Sequence, residues 1–98
     1  MLKKAYSKTG RVCRVTFRLP AEVKAQNAML VGDFNGWDTQ ATPMRVLKNG
    51  DFSATLSLEA GKSYRFRYLL DGKRWENDWA ADAYIPNEFG GDDSVVQV

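Results

Sequence analysis

Histidine is missing altogether from this chain of 98 residues, cysteine occurs once and proline three times. Without an imidazole there is no Ser-His-Asp or Cys-His nucleophile, no supply of the commonest zinc-binding side chain, and no ordinary general base near neutral pH. A single cysteine, Cys13, cannot close an internal disulfide, and it reads as a small buried hydrophobe. Small secreted domains are more often stapled. No apolar run approaches the ~18–20 residues that a membrane-crossing helix needs. The basic opening, from Met1 to Arg11, is not followed by the ~7–15-residue apolar stretch of a secretory signal. A cytoplasmic location is therefore expected, with no membrane partner. Met1 at the start and a closing strand at Val98 lead to the expectation of a complete small protein.

What is present belongs to one folded domain. Apolar residues make up 44% and charged residues 27%, the balance of a globular chain rather than a disordered one. The net charge of +2 is too small to argue for nucleic acid. Five of the cations (Lys3, Lys4, Lys8, Arg11 and Arg14) fall within the first 14 residues. The expectation is a solvated basic extension over 1–11, followed by a single domain over 12–98.

Period-two alternation runs through that domain. Val12 to Leu19 puts Cys13, Val15, Phe17 and Leu19 on one face, as a half-buried strand does. Pro20 ends it, and the segment 21–26 reads as a surface connection that tolerates one helical turn. Ala28 to Phe34 is a second strand running into Asn35-Gly36-Trp37-Asp38, and Pro43 to Leu47 is a short third. Asn49-Gly50 is a hairpin signal, since both central residues of a type I′ turn need positive φ. Phe52, Ala54, Leu56 and Leu58 then point one way, as do Tyr64, Phe66, Tyr68 and Leu70 after the next turn. That leaves Arg65 and Arg67 side by side on the outer face. Periodicity fails from Arg74 to Gly91, which reads as an ordered loop, and Ser94 to Val98 closes the chain as a strand. About seven short strands with turns between them predict an all-β, antiparallel β-sandwich.

Chemistry in such a domain is expected at a surface rather than in a deep catalytic cleft, so no enzyme activity is expected. Glu76, Asp78, Asp82, Glu88, Asp92 and Asp93 crowd the late sequence without the spacing of a calcium loop, and no metal or cofactor is expected. The three tryptophans, Trp37, Trp75 and Trp79, all fall in segments read as loops. Aromatic faces of this kind suit a ligand that alternates C–H and O–H surface, as a sugar ring does. Taken alone, Trp37 is either an exposed platform or a lid folded over the core. Trp79, followed by Ala80-Ala81, is expected in the core or at a hinge. The two arginines either donate to a ligand or cover the sheet with their stems.

Three motifs in order carry a family resemblance: Val31-Gly32-Asp33-Phe34-Asn35-Gly36-Trp37-Asp38; Tyr64-Arg65-Phe66-Arg67-Tyr68-Leu69-Leu70-Asp71-Gly72 with a tryptophan shortly after; and Asn87-Glu88-Phe89-Gly90-Gly91-Asp92-Asp93-Ser94-Val95-Val96. Together, across about residues 12–98, the chain resembles carbohydrate-binding module family 48. That family includes the early-set domains of isoamylases and branching enzymes and the glycogen-binding domain of the AMP-activated protein kinase β subunit. The resemblance implies an immunoglobulin-like early-set sandwich that binds α-1,4-linked glucans such as glycogen, starch or maltooligosaccharides. By position it implies Trp37 and Trp75 as stacking platforms, Arg67 in place of a lysine that bonds glucose hydroxyls, Phe89 in place of a packing leucine, and Asp93 in place of an asparagine that bonds a sugar. Asp93 departs from that asparagine because an ionised carboxylate only accepts. Gly91 stands where a threonine contact would be, and one extra residue separates Gly72 from Trp75. The other role such domains play is structural: an early-set domain docked on an α-glucan-processing enzyme of the amylase family.

Overall fold

The computed structural model describes residues 2–98. Two antiparallel sheets pack face to face. The first contains β1 (Leu2–Tyr6), β2 (Val12–Leu19), β4 (Arg45–Val46) and β5 (Phe52–Glu59), in the order β1-β2-β5-β4. The second contains β3 (Ala28–Gly32), β6 (Ser63–Leu70), β8 (Ala83–Pro86) and β9 (Asp92–Gln97), in the order β3-β6-β9-β8, with β7 (Arg74–Glu76) paired to β6 beyond the end of β9. This is the expected all-β sandwich of the early-set, immunoglobulin-like kind, with nine described strands rather than about seven.

Alternation decides which face of each strand is buried. In β2 the side chains of Cys13, Val15, Phe17 and Leu19 are at most 1% exposed. They meet Phe66, Tyr68 and Leu70 of β6 across the sandwich, together with Leu30 and Val96 of the same opposite sheet, and Phe52 joins the core from β5 beside Leu19. Phe17 and Phe66 pack edge to face with ring centroids 5.0 Å apart, and Phe66 and Tyr68 do so at 5.6 Å. Each such ring contributes about 1.5–3 kcal/mol by leaving water.

Four segments differ from the sequence expectation, each for a local reason. Residues 2–6, expected as part of a basic extension, pair with the whole of residues 13–17 as β1. The pairing satisfies the free edge of β2, and exposed lysines are tolerated on an edge strand. Lys4 reaches Asp82 at 2.6 Å and the Tyr6 hydroxyl donates to the Val98 carbonyl at 3.1 Å. The second expected strand stops at Gly32, where a 3₁₀ turn over Asp33–Asn35 takes over, whereas Ala21–Val23 forms the single helical turn its segment was expected to tolerate. The Asn49-Gly50 hairpin is not a type I′ turn. Only Gly50 has positive φ (90°), and Leu47 donates to the Asp51 carbonyl at 2.7 Å across a three-residue loop. Finally, the aperiodic 74–91 segment contains β7 and β8, each too short for alternation to register. Trp75 is therefore a strand residue, opposite Leu69.

Candidate carbohydrate-binding groove

The turn after β3 is built to present an indole. An added Cβ at Gly32 would lie 2.5 Å from the Arg65 carbonyl oxygen and 2.8 Å from Phe66 Cβ, so only glycine allows β3 to approach β6 this closely. Phe34 turns inward, its ring 5.6 Å from that of Phe17 and 6.2 Å from that of Tyr64. Asn35 clasps the turn: Oδ1 accepts from the Gly32 amide at 3.1 Å, while Nδ2 donates to the Leu30 carbonyl at 2.9 Å and to Thr42 Oγ1 at 3.1 Å. The chain then passes through two left-handed residues, Gly36 (φ 66°) and Trp37 (φ 60°). For a side chain as large as tryptophan that conformation costs about 1–3 kcal/mol.

Two hydrogen bonds hold Trp37 in this state. Its amide donates to the Gly32 carbonyl at 2.9 Å, and its indole Nε1 donates to Asp33 Oδ1 at 2.8 Å. The other carboxylate oxygen, Asp33 Oδ2, accepts from the Arg65 amide at 2.8 Å. Asp33 thus ties the indole to β6. Trp37 is half-buried and faces a groove; it is not a lid on the core.

The floor of the groove is the outer face of the five-stranded sheet. Strand register sets Val31 opposite Arg67, Leu69 between Met29 and Trp75, and Arg65 opposite Val95. Val31, Leu69 and Val95 are buried although they point away from the core, so neighbouring side chains roof this face. The Arg67 guanidinium lies 5.6 Å from the centre of the Trp75 ring, a cation–π distance, and Trp75 remains 41% exposed. Arg67 Nε is buried with no hydrogen-bond partner among the described residues.

The third wall is the turn between β8 and β9. Asn87 organises it: Oδ1 accepts from the Phe89 amide at 2.9 Å and the Gly91 amide at 3.2 Å, and the Asn87 amide donates to the Gly91 carbonyl at 2.8 Å. Asx geometry of this kind leaves the residue at the tip projecting, and Phe89 is 87% exposed. Asp93, by contrast, is buried. Its Oδ1 accepts from Asn87 Nδ2 at 3.1 Å and its Oδ2 lies 3.7 Å from Arg65 Nη1.

The resulting groove encloses about 870 Å³ and is lined by Trp37, Arg67, Trp75, Phe89 and Asp93, the five residues singled out from sequence. It is also lined by Asp33, Arg65, Pro86, Asn87 and Glu88. Asp33 and Asn87 carried no sequence assignment. A signal existed for both: an Asp opening the turn before Asn35-Gly36, and an Asn followed by Gly90-Gly91, are residues that bond their own turns. Chemically the groove offers three aromatic surfaces for C–H faces and guanidinium donors for hydroxyls, with two carboxylates, Asp33 and Asp93, already engaged in holding it open.

Trp79 does not enter the core as expected. It is 55% exposed and outside the groove lining, because its neighbour Asp78 is the residue that turns inward. Tyr68 donates its hydroxyl to Asp78 Oδ2 at 2.7 Å, and the Ala80 amide donates to Oδ1 at 2.8 Å. The Asp78 amide donates to Ser94 Oγ at 2.9 Å, and the Tyr84 hydroxyl donates to the Asp78 carbonyl at 2.6 Å. Burial, reinforced by the Asp78 charge, pushes the Tyr68 hydroxyl well above its ordinary pKa.

Comparison with known sequences matches residues 6–85 to the family described as carbohydrate-binding module 48 (isoamylase N-terminal domain). That span includes Trp37, Arg67 and Trp75, and stops short of Phe89 and Asp93. A stretch of 54 residues is 41% identical to Protein PTST homolog 2, chloroplastic, of Arabidopsis thaliana, covering 55% of this chain and 10% of that protein. The matched stretch is thus about a tenth of the length of that curated relative.

Proposed function

The chain belongs to carbohydrate-binding module family 48, and on that premise we propose that it is a non-catalytic module holding α-1,4-linked glucan, such as glycogen or starch, in the groove. The observation that carries this reading is the convergence of Trp37, Arg67 and Trp75, from the β3 turn, β6 and β7, on one outer sheet face. Trp37 and Trp75 stack on sugar faces. Arg67, its guanidinium at cation–π distance over Trp75, donates to glucose hydroxyls. Phe89 packs against the chain from above, and Asp93 offers an acceptor whose direction Asn87 and Arg65 fix. An open groove with two main platforms gives modest affinity, between about millimolar and micromolar, roughly −4 to −8 kcal/mol.

Affinity electrophoresis in glycogen-containing gels tests this. The unmodified protein is retarded, and Trp37→Ala or Trp75→Ala abolishes most of the retardation. A wild-type protein that runs freely, or variants retarded like it, sinks the proposal. A second reading, docking on an α-glucan-processing enzyme of the amylase family, is favoured by the exposure of Trp79 and Tyr84 outside the groove. Co-purification that Trp79→Ala abolishes, with glycogen retardation intact, supports that role in addition.

A further inference from the structure

The second broad face of the molecule, the outer side of the four-stranded sheet, has a charge pattern that glucan binding does not use. Strand register places three rows of side chains on it: Lys3-Thr16-Thr55, Ala5-Arg14-Ser57 and Arg18-Ser53-Arg45. Thr16 and Thr55 bond each other at 3.1 Å. With strands ~4.8 Å apart and residues ~3.4 Å apart, the array covers roughly 14 Å by 14 Å. Among the described residues, carboxylates occur only at its two ends, and both are paired. Asp51 accepts from Arg18 at 3.0 Å and the Ala21 amide at 2.9 Å, and Glu59 pairs with Lys62 at 3.0 Å. Lys3, Arg14 and Arg45 are exposed and make no ion pair among the described residues. Beside β4 a cavity of about 330 Å³ is lined by Arg45, Thr42, Ser53 and Thr55, together with Pro43 and Ala54. One unpaired guanidinium, three hydroxyls and no carboxylate make a seat for an oxyanion.

We infer that this face docks on the anionic surface of a phospholipid membrane, with headgroup phosphates taken by Arg14, Arg45, Lys3 and the hydroxyls between them. Three physical features select that occupant. The face belongs to a slab 38 × 36 × 23 Å, so it is one of two broad surfaces and matches a planar partner. Among the described residues it presents no aromatic side chain, as its register shows, so it has neither the stacking platforms of a single-strand nucleic-acid site nor the desolvated anchors of a protein interface. Its cations are held on paired strands, so they need little ordering to meet a charged plane. Such docking is peripheral, since nothing on the face inserts. It also points the groove, on the opposite sheet, away from the bilayer.

Sedimentation of the full chain with phosphatidylcholine vesicles, with and without phosphatidylglycerol, is the test. Binding is expected to the anionic vesicles alone, and to be lost in ~1 M salt, where screening acts over ~3 Å. Arg14→Gln and Arg45→Gln together lower the apparent affinity by roughly 30-fold, about fivefold for each charge, and Lys3→Gln on its separate strand by about fivefold. Lys24→Gln with Lys73→Gln, the same change of net charge outside the face, leaves binding nearly unchanged. Equal binding to neutral vesicles, equal loss from the Lys24 and Lys73 pair, or capture by duplex DNA or polyglutamate with no vesicle binding overturns the inference. Retention of glycogen by the Arg14 and Arg45 variant separates this face from the groove.

Discussion

Replacing Asp33 by alanine tests whether the indole of Trp37 is a platform because of its own position or because a carboxylate holds it there. The substitution removes two acceptors, one for Trp37 Nε1 and one for the Arg65 amide. The backbone of Trp37 keeps its left-handed conformation at a cost of about 1–3 kcal/mol, and without the anchor that strain is free to relax. Rebinding a glucan must then restore the strained turn and re-order one large side chain, the latter costing about 0.5–1.5 kcal/mol. The lower ends of the two terms sum to about 1.5 kcal/mol, a weakening of roughly tenfold. Calorimetric titration with a maltooligosaccharide measures it, and a double-mutant cycle attributes it. Trp37→Phe keeps an aromatic face but deletes Nε1, so Asp33→Ala made in that background should cost much less. A folded Asp33→Ala protein with unchanged affinity, or with the same loss in both backgrounds, refutes the reasoning.

Three further predictions concern stability. Gly32→Ala forces a Cβ to within 2.5 Å of a backbone oxygen, so it should cost about 3 kcal/mol or more, read as a fall in melting temperature. Tyr68→Phe takes a donor from buried Asp78 and should cost about 1–3 kcal/mol at pH 7. Because the folded Tyr68 pKa is raised, its contribution is intact below the unfolded value of about 10 and is lost as pH rises beyond it, with a slope of up to ~1.4 kcal/mol per pH unit. Melts between neutral and strongly alkaline pH should therefore be flatter for Tyr68→Phe. Asp71 accepts from the Asn27 and Gln26 amides at 3.0 and 2.8 Å, which lower its carboxyl pKa. Asp71→Ala should therefore lower the melting temperature at pH 7, and the gap should close as pH falls through the carboxylate range.

Residues that obey one strong local rule were legible in sequence. Alternation in β2, β5 and β6 fixed which side chains face the core and set Arg65 and Arg67 outward, because successive side chains of a strand point to opposite faces. The family resemblance of three ordered motifs pointed to Trp37, Arg67, Trp75, Phe89 and Asp93, which are five of the ten residues that line the groove. Tertiary contact decided the rest. Only pairing with β2 makes a strand of the lysine-rich 2–6 segment, since its composition alone suits a solvated tail. Only the ladder against β6 turns Trp75 from a loop residue into a strand residue beside Arg67. Asp78 and Trp79 look alike as neighbours in an aperiodic stretch, and the buried Tyr68 hydroxyl determines that the acid goes in and the indole out. Local rules choose the face of a strand. Which buried polar group needs a partner, and which edge needs covering, depends on atoms far away in the chain, and the fold alone brings them together.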